Sequence, residues 1–91
     1  MTDSTRRSKL EITLAVLKAV DEGIKKPTKI MYATNMSWNL TQRVFSDLVE
    51  QGLLYVEEVQ GSGRSTKRYH LTEKGQSVLE YFEGARALLK I

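Results

Sequence analysis

The stretch from Pro27 to Leu54, PTKIMYATNMSWNLTQRVFSDLVEQGLL, leaves the rest of the chain few folds to choose from. It reads as a short helix, a tight turn, a longer helix and a glycine stop. Thr28 stands as an N-cap ahead of the periodic apolar positions Ile30, Met31 and Ala33. Asn35 to Ser37 is the turn, because Asn and Ser side chains bond their own backbone and compete with helix there. The second helix is expected from Trp38 or Asn39 to Gln51, with Gly52 supplying the left-handed residue that ends it.

At 100° per residue the second helix separates into two faces. Leu40, Val44, Phe45, Leu48 and Val49 fall on one side, and Asn39, Gln42, Arg43, Ser46 and Glu50 on the other. In a duplex major groove Arg pairs with guanine edges, and Asn or Gln with adenine edges. Two helices joined by a turn of a few residues, the second with a donor-rich outward face, make the helix-turn-helix pattern. The competing reading of the same stretch is an ordinary amphipathic helical hairpin.

A chain of 91 residues makes one domain. Folding at this length buries about 60–65% of the unfolded surface, so the core is small and association would help it. The absence of cysteine removes disulfides, thiolate nucleophiles and cysteine-based zinc sites, and suits a reducing compartment. The opening MTDSTRRSKL is charged and not followed by the apolar core of a signal peptide. No run approaches the roughly 18 apolar residues of a membrane span. The glycosylation-like triplets at Asn35 and Asn39 are then chance matches.

The net charge of +3 says less than its distribution. Between Gly23 and Ser46 every charged side chain is a cation: Lys25, Lys26, Lys29 and Arg43. The same holds from Val59 to Thr72, with Arg64, Lys67 and Arg68. The rest of the chain carries all the carboxylates. Such sorting points to one side suited to a polyanion.

In chain order, Met1 to Arg7 shows no periodicity and is expected to be disordered, with Arg6, Arg7 and Lys9 as a candidate basic arm. Ser8 to Val20 is a first helix with a stripe at Leu10, Leu14, Leu17 and Val20, and Ser8 and Glu11 have capping-box spacing. Ile24 is expected to tuck inward, and Pro27 biases Lys26 away from helix. Leu53 to Gln60 and Lys67 to Leu71 read as strands around the loop GSGRST, a β-hairpin that serves as a wing after a helix-turn-helix. Tyr69 and Leu71 point one way, Arg68 and His70 the other, leaving His70 outward and solvated. The loop glycines do not make a dinucleotide fingerprint, since a strand and not a helix follows them. From Thr72, an N-cap, a last helix runs to Ile91 with Val78, Phe82, Ala85 and Leu89 in 4-3-4 spacing and Leu79 and Leu88 at its flanks. That seam suits dimerisation through this helix.

With these pieces assembled, the chain resembles the archaeal 10a-type winged-helix DNA-binding proteins, within the wider winged helix-turn-helix regulators. The match is carried by SKLEI from Ser8, TKIMY from Thr28, NMSWNLT from Asn35, Leu48 with Gly52-Leu53-Leu54, and YHLTEKG from Tyr69. The resemblance implies an α+β, mostly α, fold, double-stranded DNA as ligand, no cofactor, and dimers joined through C-terminal helices. In that family the C-terminal helix is longer and forms an antiparallel coiled coil. The expected layout is therefore a DNA-binding winged helix over residues 1–71 and a dimerisation helix over 72–91. The expected DNA contacts are Lys29, Ser37, Asn39, Gln42, Arg43 and Ser46, with Arg64, Lys67 and Arg68 on the wing. One histidine, no cysteine and no convergent carboxylate pair suggest neither a catalytic centre nor a metal site. A cytoplasmic, nucleoid-associated location follows. The alternative is a winged helix that binds protein in place of DNA, with Trp38 as its anchor.

Overall fold

The computed structural model describes residues 8–61 and 63–89, and only the backbone of Arg64 and Ser65. The candidate arm at Arg6 and Arg7 lies outside the described residues. The elements are α1 (Lys9–Asp21), α2 (Pro27–Thr34), α3 (Trp38–Glu50), β1 (Leu54–Gly61), β2 (Arg64–Leu71) and α4 (Glu73–Leu89). The α+β reading, with a two-stranded antiparallel hairpin and a C-terminal helix, holds.

Helix ends explain how so short a chain closes a core. Ser8 and Glu11 form the expected capping box at the start of α1. At the other end α1, α2 and α3 all stop in the same way. A left-handed residue follows the helix (Gly23 at φ 103°, Asn35 at 57°, Gly52 at 77°). The next amide bonds back across the last turn: Ile24 to Ala19 at 3.0 Å, Met36 to Met31 at 3.2 Å, Leu53 to Leu48 at 2.9 Å. This Schellman arrangement turns each of those apolar residues back onto the core. The tuck expected of Ile24 is one instance of it.

Two expectations need correction. The cap of α2 is Lys26 and not Thr28: Pro27 occupies the first helical position, where its missing N–H costs nothing and its fixed φ is already helical. The stripe of α1 is broader and shorter than its spacing suggests. Val16, Leu17, Ala19 and Val20 are buried, Leu14 is half-buried, and Leu10 is 47% exposed. The C-terminal half of α1 is enclosed on several sides, because α2, α3, α4 and β2 all pack on this helix, whereas Leu10 in its first turn only borders an open groove beside Leu53 and Val78.

Ile30, Phe45, Leu48, Leu53, Leu54, Tyr69 and Leu79 complete the core. Thr34 and Thr41 are buried among them; each hydroxyl donates to the carbonyl four residues back, at 2.7 Å. The strands extend into the expected loop, β1 to Gly61 and β2 from Arg64. Register pairs Leu54 with Leu71 at the base and Gly61 with Arg64 toward the tip.

The start of α4 is locked onto the end of α3. Thr72 caps α4 by accepting from the Gly75 amide at 2.9 Å, and its hydroxyl donates to the Gly52 carbonyl. Its amide bonds the Leu53 carbonyl at 3.2 Å, and Lys74 Nζ bonds that of Gln51 at 2.8 Å. Gly75 is buried against this junction. A methyl there would overlap the Leu53 carbonyl oxygen, with the carbonyl carbon 3.0 Å away and Leu71 Cδ2 3.3 Å away.

Candidate nucleic-acid interface

Helix α3 is anchored by Thr41, Phe45 and Leu48, all at 1% exposure or less. That burial aims the opposite side outward: Asn39, Gln42, Arg43 and Ser46 are all exposed. Ser37, the N-cap, is exposed too; its oxygen accepts from the Leu40 amide at 3.2 Å, which leaves its hydroxyl hydrogen to donate elsewhere. Lys29 is exposed on α2, the preceding helix of the pair. From Trp38 to Ser46 the outward arc of α3 carries no carboxylate; Asp47 and Glu50 enter only in its last turn.

The hairpin divides its cations between two faces. Alternation along β2 puts Lys67, Tyr69 and Leu71 on the side that meets α3, where Tyr69 stacks on Phe45 with ring centroids 4.0 Å apart. Burial there, at the ring stack, raises the Tyr69 phenol above its ordinary value of 10.0. Gln42, Ser46, Val49, Val56 and Lys67 line one shallow groove over these rings. Arg68 lies on the opposite face, half-buried, so the pair Lys67 and Arg68 expected to act together is split. The side chain of Arg64 lies outside the described residues. Sequence counting also left out the cross-strand partners: Glu57 sits opposite Arg68 and Glu58 opposite Lys67.

His70 is not simply solvated. Its Nε2 lies 2.8 Å from Glu57 and its ring stacks on Tyr55 at 5.0 Å. These three share a face with Arg68, and the contact is a diagonal cross-strand one. Lys25, counted among the cations of the carboxylate-free stretch, bonds the Val20 carbonyl at 3.0 Å and so caps α1. The signal for that was present, since cations just past a helix end bond its last carbonyls. Val49, at 38% exposure, was placed on the apolar side of the second helix and belongs to the groove instead, where Val56 of β1, at 40%, joins it. For Val49 the clue is its place at the edge of the α3 apolar arc.

On α4 the expected seam is partly taken within the chain. Val78 packs on the core, and Phe82 lies beside Leu14 and Ala15 of α1. Nearby, Lys18 of α1 meets Glu83 at 3.1 Å, a hydrogen bond that raises the lysine's pKa. Ala85 is half-buried, and Leu89 is 65% exposed. The most exposed large apolar side chains of α4 are Leu88, at 84%, and Tyr81, at 71%. Among the described residues no cluster of His, Asp and Glu could hold a metal, and no helix is long and apolar enough to cross a membrane.

A helix pair joined by a three-residue turn, a hairpin beside its second helix and a closing helix define the winged helix-turn-helix class. The match to the family described as winged helix-turn-helix covers residues 6–90, and the chain belongs to that family. A protein of unassigned function from Methanocaldococcus jannaschii is 34% identical over 80 residues, covering 88% of this chain and 34% of its own length. The chain thus spans about a third of that archaeal relative. Sso10a-2, a DNA-binding protein from Sulfolobus solfataricus, superposes with a TM-score of 0.68 at 25% identity, covering 92% of this chain and 86% of its own. A PadR family transcription regulator from Clostridium difficile shares the fold with a TM-score of 0.77 at 16% identity, covering 87% and 90%. The resemblance to the archaeal 10a-type proteins stands, and the fold is that of transcription regulators.

Proposed function

We propose that the chain binds double-stranded DNA as a dimer, as a transcription regulator or nucleoid-associated protein of the cytoplasm, and that it is not an enzyme. One observation carries this reading: Asn39, Gln42, Arg43 and Ser46 are held outward on a helix whose other side is locked in the core. In this reading α3 enters the major groove, and those four side chains meet base edges or the nearest phosphates. Lys67, Arg64 and Lys29 contact flanking backbone, and the Ser37 hydroxyl donates to a phosphate. Arg68 contributes charge from the far side of the wing. A dimer neutralising about eight phosphates gives a log–log salt slope near −7. Duplex affinity measured from low to moderate salt should follow that slope. An affinity that hardly moves with salt would overturn the reading, as would a failure to retain any duplex.

Dimerisation is assigned to α4, through Ala85 and Leu89 with the edges of Val78 and Phe82, and with Tyr81 and Leu88 completing the surface. Support comes from the exposure of Tyr81, Leu88 and Leu89 along one helix. Sedimentation of the full chain should give a dimer, and Leu88→Glu a monomer with unchanged helicity. A monomeric parent would remove this part of the proposal.

A further inference from the structure

We infer that the groove between α3 and the hairpin reads a thymine through its 5-methyl group, with Val49 and Val56 as the specificity-determining contacts. The inference rests on the DNA-binding reading above and deepens it. Gln42, Ser46 and Val49 recur at i, i+4 and i+7, so they form one line along the flank of α3 that faces the wing. Val56 and Lys67 face them from the hairpin, over a floor made by Phe45 and Tyr69.

Neither valine is needed to hold α3 in place, because Thr41, Phe45 and Leu48 already do so from full burial. Both remain more than a third exposed, and both stand among hydrogen-bonding side chains. A duplex offers many donors and acceptors in its major groove but a single kind of apolar group, the thymine methyl. Ser46 lies three residues from Val49 and is its neighbour on the helix surface, so its hydroxyl can bond the polar edge of the same base pair. Lys67 stands at the rim of this groove, opposite Glu58 on the neighbouring strand. The apolar floor and the two exposed valines suit a base edge, while Lys67 at the rim supplies charge for the adjoining backbone.

The test uses the full chain and duplexes selected from a random-sequence library. In the tightest-binding duplex each thymine is replaced in turn by uracil, which pairs identically and lacks only the methyl. One position per half-site should lose about threefold to fivefold in affinity, the scale of one buried methyl, and the others should not change. Val49→Asn and Val56→Asn each replace both γ-methyls by a polar amide and should erase the thymine preference at that position, and melting curves check that both fold. If no uracil position matters, or if both variants still discriminate, the inference is overturned while DNA binding stands. If the selection retains no duplex at all, the broader reading falls with it, and that result is distinguishable from the first.

Discussion

Replacing Gly75 by alanine sets two physical rules against each other. By helix propensity alone, Gly→Ala within α4 should stabilise by up to about 1 kcal/mol. The packing of Gly75 predicts the opposite sign. Its new methyl would overlap the Leu53 carbonyl oxygen, a backbone atom that cannot rotate away. Overpacking of this kind costs about 1–3 kcal/mol. Relief by separation of α4 from α3 would break the Thr72 amide bond to that carbonyl, and with it the Thr72 hydroxyl bond to Gly52. Each such bond is worth about 0.5–1.5 kcal/mol. The net expectation is a loss of about 2–4 kcal/mol, or roughly 10–25 °C in Tm for a chain this small. Gly84 is the control: it lies in the same helix, exposed, with nothing within 4 Å of an added methyl. Gly84→Ala should stabilise by about 0.5–1 kcal/mol. Urea and thermal melts followed by far-UV circular dichroism and by the fluorescence of Trp38 measure both. Shifts of the same sign in the two variants would refute the packing argument.

Arg43→Ala should cost about 1–3 kcal/mol in duplex affinity and relax preference at one base pair, whereas Lys67→Ala should weaken all sequences alike; equal, sequence-independent losses in a binding array would point to a non-specific architectural role. Burial holds the Tyr69 phenol above its ordinary value. The folded state therefore favours the neutral phenol, and that stabilisation is complete below pH 10.0 and is lost as the pH rises through the folded-state value. Tyr69→Phe keeps the stack on Phe45 and should flatten the decline in Tm between about pH 9 and pH 11; an unchanged decline would show that another group drives it. Lys18→Ala should leave stability nearly unchanged, because its pair with Glu83 is solvent-exposed on both sides and exposed pairs contribute little; a large drop in the urea midpoint would contradict this.

Local chemistry made much of this protein legible in advance. The capping box of α1, the Asn35–Ser37 turn, the Gly52 stop and the Thr72 cap are all decided within a few residues, because each satisfies backbone groups that its neighbours leave open. The two faces of α3 follow from period alone, which is why Asn39, Gln42, Arg43 and Ser46 could be placed outward without coordinates. The α2 cap was misread by two residues, since Pro27 and Thr28 both carry start signals and only the observed backbone ranks them.

What no periodicity contains is which elements meet. Charge counted along the chain grouped Lys67 with Arg68, but neighbours on a strand point to opposite faces, and the wing's carboxylates arrive from the other strand. Val49 and Val56 are far apart in sequence and become one groove wall only when the hairpin folds beside α3. Gly75 reads as a weak point in a helix until the Leu53 carbonyl is seen where its side chain would be. Sequence specifies a helix by interactions within one turn, whereas these features depend on distances between residues tens of positions apart, which tertiary packing alone sets.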